Sequence, residues 1–185
     1  AILPLERFVE LRKDQPMANT DNALETAYYF LGESYLVTDY VEEAANTFEA
    51  ALVISPHDAD ALYQVGRAYL LLEEYDKSLE KLDKAVRLVP DFTEAYSTMI
   101  ECYSAKNEPD YVAYARGMEA YSLADYETAE THLLFATEAL PEYSPAFLGL
   151  GLAHEKAGAY AEALEAVNQA LVLDPNNYAA IQAQG

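Results

Sequence analysis

Residues 59–92, ADALYQVGRAYLLLEEYDKSLEKLDKAVRLVPDF, decide the fold. Gly66 follows Leu62 by four residues and is followed by Tyr69, Ser78, Leu82, Ala85 and Pro90 at +3, +12, +16, +19 and +24. The same spacing returns around three other glycines. Four before Gly32, Gly117 and Gly151 stand Tyr28, Ala113 and Phe147; three after them stand Tyr35, Ala120 and His154. Ala44, Ala129 and Ala163 hold +12, Phe48, Leu133 and Val167 hold +16, and Ala51, Ala136 and Ala170 hold +19. Pro56, Pro141 and Pro175 close the units. Gly32 and Gly66 lie 34 apart, as do Gly117 and Gly151. A fixed period of this length marks stacked helical units, none able to bury its apolar face alone. The glycine leaves a hole where two helices of a unit approach, the small residues at +12 and +19 let the second helix interdigitate, and proline ends it.

On these residues the chain resembles the tetratricopeptide repeat family, over residues 21–175 and four units. The resemblance implies an all-α solenoid of antiparallel helix pairs stacked in a right-handed superhelix, with first helices lining a concave groove. The spacing predicts helices over 22–37, 41–54, 59–72, 76–89, 93–106, 109–122, 126–139, 144–157 and 160–173.

The period breaks once. Gly66 to Gly117 and Pro90 to Pro141 each span 51 residues, one period and a half. The extra stretch, 93–107, reads as an odd first helix with Tyr96, Met99 and Tyr103 on its core stripe and Ile100 where glycine belongs. Asn107 before Pro109 is expected to cap the next helix. The organisation read from the sequence is a short N-terminal helix and linker over 1–18, with the helix from Pro4 to Lys13. A two-repeat block over 19–92 follows, then a supernumerary half repeat over 93–109, a second two-repeat block over 110–175, and the start of a further repeat over 176–185. Gly185 falls 34 after Gly151, and the sequence reads as part of a longer protein.

Composition limits the function. Apolar residues make 52% and charged residues 23%, which is globular. Lys and Arg number 11 against 32 Asp and Glu, a net charge of −21. That charge excludes nucleic acid as the main partner, because phosphate contacts need clustered cations. No apolar run approaches the length of a membrane span, so no direct membrane insertion is expected. The lone Cys102 excludes an internal disulfide and leans toward a reducing, cytoplasmic compartment without fixing it. His57, His132 and His154 stand apart with no ligand spacing, and no phosphate loop or nucleophile motif occurs. The chain reads as a non-enzyme with no cofactor and no metal. In the basic run Lys77, Lys81, Lys84 and Arg87, the pairs Glu73–Lys77, Glu80–Lys84 and Asp83–Arg87 stand at i,i+4 and read as a solvated face.

Tyrosine is the informative residue, with 16 and no tryptophan. Tyr28, Tyr35, Tyr69, Tyr75, Tyr96, Tyr103, Tyr126 and Tyr160 fall at core positions of the repeat. Others lie off that stripe, on the side the family turns to its groove: Tyr29, Tyr63 and Tyr114 three before the glycine, Leu36, Leu70 and Tyr121 four after it, and Tyr111 at −6. Glu33, Asp60, Glu94 and Glu101 surround them, with Arg67 the main positive charge. Such a groove suits a basic or amphipathic segment of another protein. The phase slip is expected to keep Tyr111, Tyr114 and Tyr121 out of the groove of Tyr29 and Tyr63. Chaperone-binding members of the family hold a carboxylate with Lys and Asn; here those positions are Tyr29, Glu33, Tyr63, Arg67, Ser97 and Glu101, so that activity is not carried over. The alternative is a structural subunit that self-associates or locks into a larger complex through open repeat ends.

Overall fold

The structure is a computed structural model that describes residues 2–15 and 18–183. All regular structure among them is helical. The chain forms two compact units, residues 1–89 and 90–185. The first holds α1 (Ile2–Arg12), a short 3-10 turn at Ala18–Thr20, α2 (Asn22–Val37), α3 (Val41–Ile54), α4 (Ala59–Leu71) and α5 (Tyr75–Leu88). The second holds α6 (Thr93–Ala105), α7 (Pro109–Ser122), α8 (Tyr126–Ala139), α9 (Ser144–Ala157), α10 (Tyr160–Leu173) and α11 (Tyr178–Ala183). The nine helices expected from the spacing occur with boundaries within one residue. Gly185, which the repeat spacing used at the end of the sequence, lies outside the described residues.

Each glycine of the repeat does what its spacing implies. A Cβ built on Gly32 would come within 2.8 Å of the Phe48 ring, and on Gly66 within 2.8 Å of Leu82. On Gly117 it would lie 2.6 Å from Leu133, and on Gly151 2.6 Å from Val167. These are the +16 residues, so the second helix of each pair drives one side chain into the hole left by the first. Phe48, Leu82 and Leu133 are fully buried there. The Ser78 hydroxyl adds a bond to the Gly66 carbonyl at 2.7 Å, which satisfies a polar group at the closest approach.

The turns inside the pairs share one geometry. Asp39, Glu73, Asn107, Ala124 and Gly158 all adopt positive φ, from 57° to 80°. At each, the next residue's amide donates to the carbonyl five residues back, as in Tyr40 to Tyr35 and Asp125 to Ala120, both at 2.9 Å. This is the Schellman closure, in which a left-handed residue satisfies the last carbonyls of a helix. Its recurrence at intervals of 34, 34, 17 and 34 residues means that α7 is entered through one such turn and left through another. Asn107 therefore ends α6 in the left-handed conformation rather than capping α7. Glu108 is the N-cap and makes no side-chain cap bond. Of the helices not entered through such a turn, α2 and α4 carry side-chain caps, Asp21 accepting from Ala23 and Leu24 and Asp58 from Asp60 and Ala61, whereas α6 and α9 have none.

Only one of the five left-handed positions carries glycine. An L-residue there costs about 1–2 kcal/mol, which glycine avoids at some cost in chain entropy. Ala124→Gly is therefore expected to stabilise the chain by roughly 0.5–1 kcal/mol, and Gly158→Ala to destabilise it by about 1 kcal/mol. Urea midpoints of the two variants would show opposite shifts; shifts of the same sign would contradict this account of the turns.

The basic face of α5 is paired, with Lys84 on Glu80 at 2.6 Å and Arg87 on Asp83 at 2.8 Å. Lys77 pairs with Glu74 instead of Glu73, because the left-handed turn at Glu73 takes that residue off the helix. Lys81 reaches across to Glu49 of α3 at 2.6 Å. Tyr160 departs from its expected core place, being 72% exposed. Tyr126, at the same repeat position, packs on the Tyr121 ring at 5.9 Å, whereas α9 offers Tyr160 only Glu155 at that place.

Candidate protein-binding faces

In the first unit the off-core residues of α2 and α4 meet. The Gln64 amide donates to the Tyr29 hydroxyl at 3.4 Å, and Arg67 donates to the Gln64 carbonyl oxygen at 2.8 Å. The Arg67 guanidinium stands 5.7 Å from the centre of the Tyr63 ring, a cation–π distance. A chain of contacts thus runs Tyr29, Gln64, Arg67, Tyr63 across two first helices. Tyr29 rests edge-on against Phe48 at 5.7 Å and Phe30 at 6.1 Å, so the residue that fills the Gly32 hole also seats the first tyrosine. Burial raises the Tyr29 phenol above its ordinary pKa; the bond from Gln64 opposes this, and Glu33, Asp60 and Asp58 add to it. Those carboxylates sit close enough to act on the ring. Tyr29, Glu33, Leu36, Tyr63, Arg67 and Leu70 are half-buried, and Asp60 is exposed. Sequence reasoning missed Gln64. The available signal was its polarity at −2, a position held by Phe30, Ala115 and Gly149 in the other units.

The second unit uses its tyrosines differently. Tyr111 stacks on Tyr103 at 5.1 Å with an interplanar angle of 21°, and meets Tyr143 edge-on at 5.2 Å. Tyr114 is only 4% exposed, held by Tyr143 at 5.1 Å and Tyr96 at 6.5 Å. It is a core residue, which corrects its expected place on an open face. The reason is α6, which brings Tyr96 over a position that stays half-open at Tyr29 and Tyr63. Tyr121 remains half-buried beside Tyr126; burial raises its phenol, followed by the charges of Glu155, Tyr126 and Asp91. Glu94 and Glu101 are exposed on α6. Ser97 donates to Glu119 at 2.5 Å and Thr93 to Ser122 at 2.8 Å, tying α6 to α7 along this side.

One link recurs between three of the first helices, α2, α4 and α9, and the helix before each; α7 has Ala120 at that position and lacks it. The +3 residue reaches back to a glutamate: Tyr35 donates to Glu6 of α1 at 2.5 Å, Tyr69 to Glu49 of α3 at 3.2 Å, and His154 lies 3.8 Å from Glu130 of α8. Tyr35 is pushed up to about 12, by burial first and then by the bond and charge of Glu6. A phenol held protonated by folding contributes stability that is complete below pH 10 and is lost as pH rises toward 12. Tyr35→Phe is expected to cost about 1 kcal/mol at neutral pH and to make the alkaline loss between pH 10 and 12 shallower. A thermal melt series across that range checks both; an unchanged alkaline profile would contradict the role of this bond.

Among the described residues no group of His, Cys, Asp or Glu is placed to hold a metal ion, and no helix is long and apolar enough to cross a membrane. Cys102 is fully buried on α6.

The family model of the tetratricopeptide repeat matches residues 29–91 and 114–178. A BBSome complex member, BBS4 of Bos taurus, is 25% identical over 187 residues, spanning 92% of this chain and 36% of that protein. A cell division cycle protein 27 homologue of Caenorhabditis elegans is 33% identical over 90 residues, 49% of this chain and 10% of that protein. The chain thus spans about a third of the first relative and a tenth of the second. Among solved structures, MamA superposes over 94% of this chain and 86% of its own with a TM-score of 0.51 at 18% identity, a likeness of fold alone. Proteins built from these repeats are generally protein–protein interaction scaffolds and generally not enzymes. With two matched stretches that together cover most of its length, the chain belongs to the tetratricopeptide repeat family.

Proposed function

We propose that the chain is a non-catalytic scaffold that binds a basic, apolar segment of another protein, chiefly on the α2–α4 face of its first unit. The observation that carries this reading is the Tyr29–Gln64–Arg67–Tyr63 chain, with two half-buried rings held in fixed places and Glu33 and Asp60 close to the first of them. Fixed aromatic rings supply contact area at little entropic cost and dominate interface hot spots. Glu33 and Asp60 beside them answer Lys or Arg on the bound segment. In the second unit, Tyr111, Tyr121, Glu94 and Glu101 form the corresponding candidate face, with the Tyr114 ring inside. The bovine relative is by name a member of a complex, which supports a partner of protein nature. The division into two repeat blocks about one supernumerary helix is part of the same reading. It is supported by the 17-residue interval between the turns at Asn107 and Ala124, and by the family model leaving out residues 92–113.

Charge sets how the encounter proceeds. A net charge of −21 attracts cationic segments over about 8 Å at physiological salt and raises the association rate more than the final affinity. Peptides selected from a random display library against the 185-residue chain are therefore expected to carry Lys or Arg beside apolar residues. Glu33→Gln with Asp60→Asn is expected to slow their association and flatten its salt dependence. Selection of acidic peptides, or an association rate indifferent to salt, would contradict the proposal.

A further inference from the structure

We propose that the second unit carries a further docking surface, on the exposed side of its second helices α8 and α10, for a cationic amphipathic helix of another protein. The repeat register brings the feature out. In the first unit the seam between second helices is charged. Glu49 of α3, at +17 from the repeat glycine, pairs with Lys81 of α5, at +15, at 2.6 Å, and Lys84 at +18 pairs with Glu80. The second unit holds apolar residues at all three of those places. Leu134 stands at +17 and Phe135 at +18 on α8, and Ala166 stands at +15 on α10. The register sets Leu134 toward Ala166 as it sets Glu49 toward Lys81. Ala166 is buried, whereas Leu134 and Phe135 are 42% and 54% exposed. Packing does not require either of the two large residues. The other units carry Glu49, Asp83 and Asn168 at +17, and Ala50, Lys84 and Gln169 at +18. Two adjacent large apolar side chains left open where the repeat elsewhere places polar or small ones point to a partner.

The surrounding charge says what that partner is. Glu127 and Glu138 of α8 and Glu162 and Glu165 of α10 are exposed, and neither helix carries a Lys or Arg to answer them. His132, half-buried on α8, is the only basic side chain of the two helices. Apolar side chains set among unanswered carboxylates are complementary to an apolar row flanked by Lys and Arg. A second copy of this chain is a poor match, because a net charge of −21 brings like charge to the face. The conformation of the occupant follows from the backbone. α8 and α10 spend the amides and carbonyls of their middle turns on their own helical bonds, so the seam offers no strand edge to an extended segment. A segment laid on this apolar seam has to satisfy its own backbone groups, and a helix does so. The surface lies on second helices, whereas the α2–α4 face lies on first helices, so either reading can fail without the other.

The test uses the 185-residue chain and two peptides of Leu and Lys, one patterned as an amphipathic helix and one scrambled so that it has no apolar row. Every chain carries Tyr29→Ala with Tyr63→Ala, which weakens the α2–α4 face and leaves the α8–α10 face intact. The seam variant adds Leu134→Asn and Phe135→Gln, the residues α10 itself holds at those positions, and changes no charge. Both sites are exposed, and unchanged helical circular dichroism verifies that the variant folds. Calorimetry is expected to show the parent chain binding the patterned peptide about tenfold more tightly than the scrambled one. The seam variant is expected to lose that tenfold preference while binding the scrambled peptide as before. Equal binding of the two peptides by the parent chain would mean that charge alone attracts them, and overturns the proposal. A seam variant that keeps the preference overturns it as well. Sedimentation velocity that shows a dimer of the parent chain, and a monomer of the seam variant, would give the face to a second copy and likewise overturn it.

Discussion

Phe48→Ala is expected to lower the stability of the chain by about 3–5 kcal/mol, the largest single effect of those considered. The ring is fully buried and occupies the hole above Gly32, where a glycine Cβ would meet three of its carbons at 2.8–2.9 Å. Truncation leaves a cavity that Gly32 cannot fill, since it has no side chain to move into it. The same ring supports Tyr29 edge-on at 5.7 Å, so the loss extends from packing to the candidate binding face. Urea unfolding measures the first effect. A cost under about 1 kcal/mol would mean that the helix pair closes up around the missing ring, against the close packing described here.

Gly151→Val is expected to cost about 2–3 kcal/mol, although valine is the better helix former by a few tenths. A Cβ there lies 2.6 Å from Val167 Cγ2, 3.1 Å from the Ala163 carbonyl oxygen and 3.3 Å from the Val167 amide nitrogen. Two of those three neighbours are backbone and have no rotamer by which to withdraw. At Gly66 the two nearest atoms belong to the Leu82 side chain, which can rotate, so the same change there is expected to cost less. Combining Gly151→Val with Val167→Ala should recover part of the loss, with a coupling of about 1 kcal/mol between neighbours that touch. Strict additivity in that cycle would contradict the knob-in-hole account of the repeat.

Legibility in the sequence follows from these contacts. Helix positions were readable because a glycine facing a large residue sixteen places on, with alanine at nineteen, is a packing requirement that few other arrangements share. The left-handed turns were not readable, because Asp39, Glu73, Asn107 and Ala124 adopt a conformation whose usual signature is glycine, present only at Gly158. The stack holds them there by satisfying the helix-end carbonyls. The off-core spacing of Tyr29 and Tyr63 was readable, and both rings are half-buried in the first unit. It was misread at Tyr114, because the extra helix carries Tyr96 over it and no sequence spacing announces a ring that arrives from another element. Gln64 went unnoticed because its role is relational: it joins Tyr29 on one helix to Arg67 on its own.

The central claim, that held tyrosines on the first helices supply the affinity while charge supplies the approach, is tested most directly by binding kinetics. Display-selected peptides would be measured by surface plasmon resonance on wild type, Tyr29→Ala and Tyr63→Ala, at low and high salt. Each tyrosine variant is expected to release the peptide about 5- to 30-fold faster, equivalent to about 1–2 kcal/mol, with the association rate and its salt dependence nearly unchanged. Dissociation from both tyrosine variants at the wild-type rate would contradict the account.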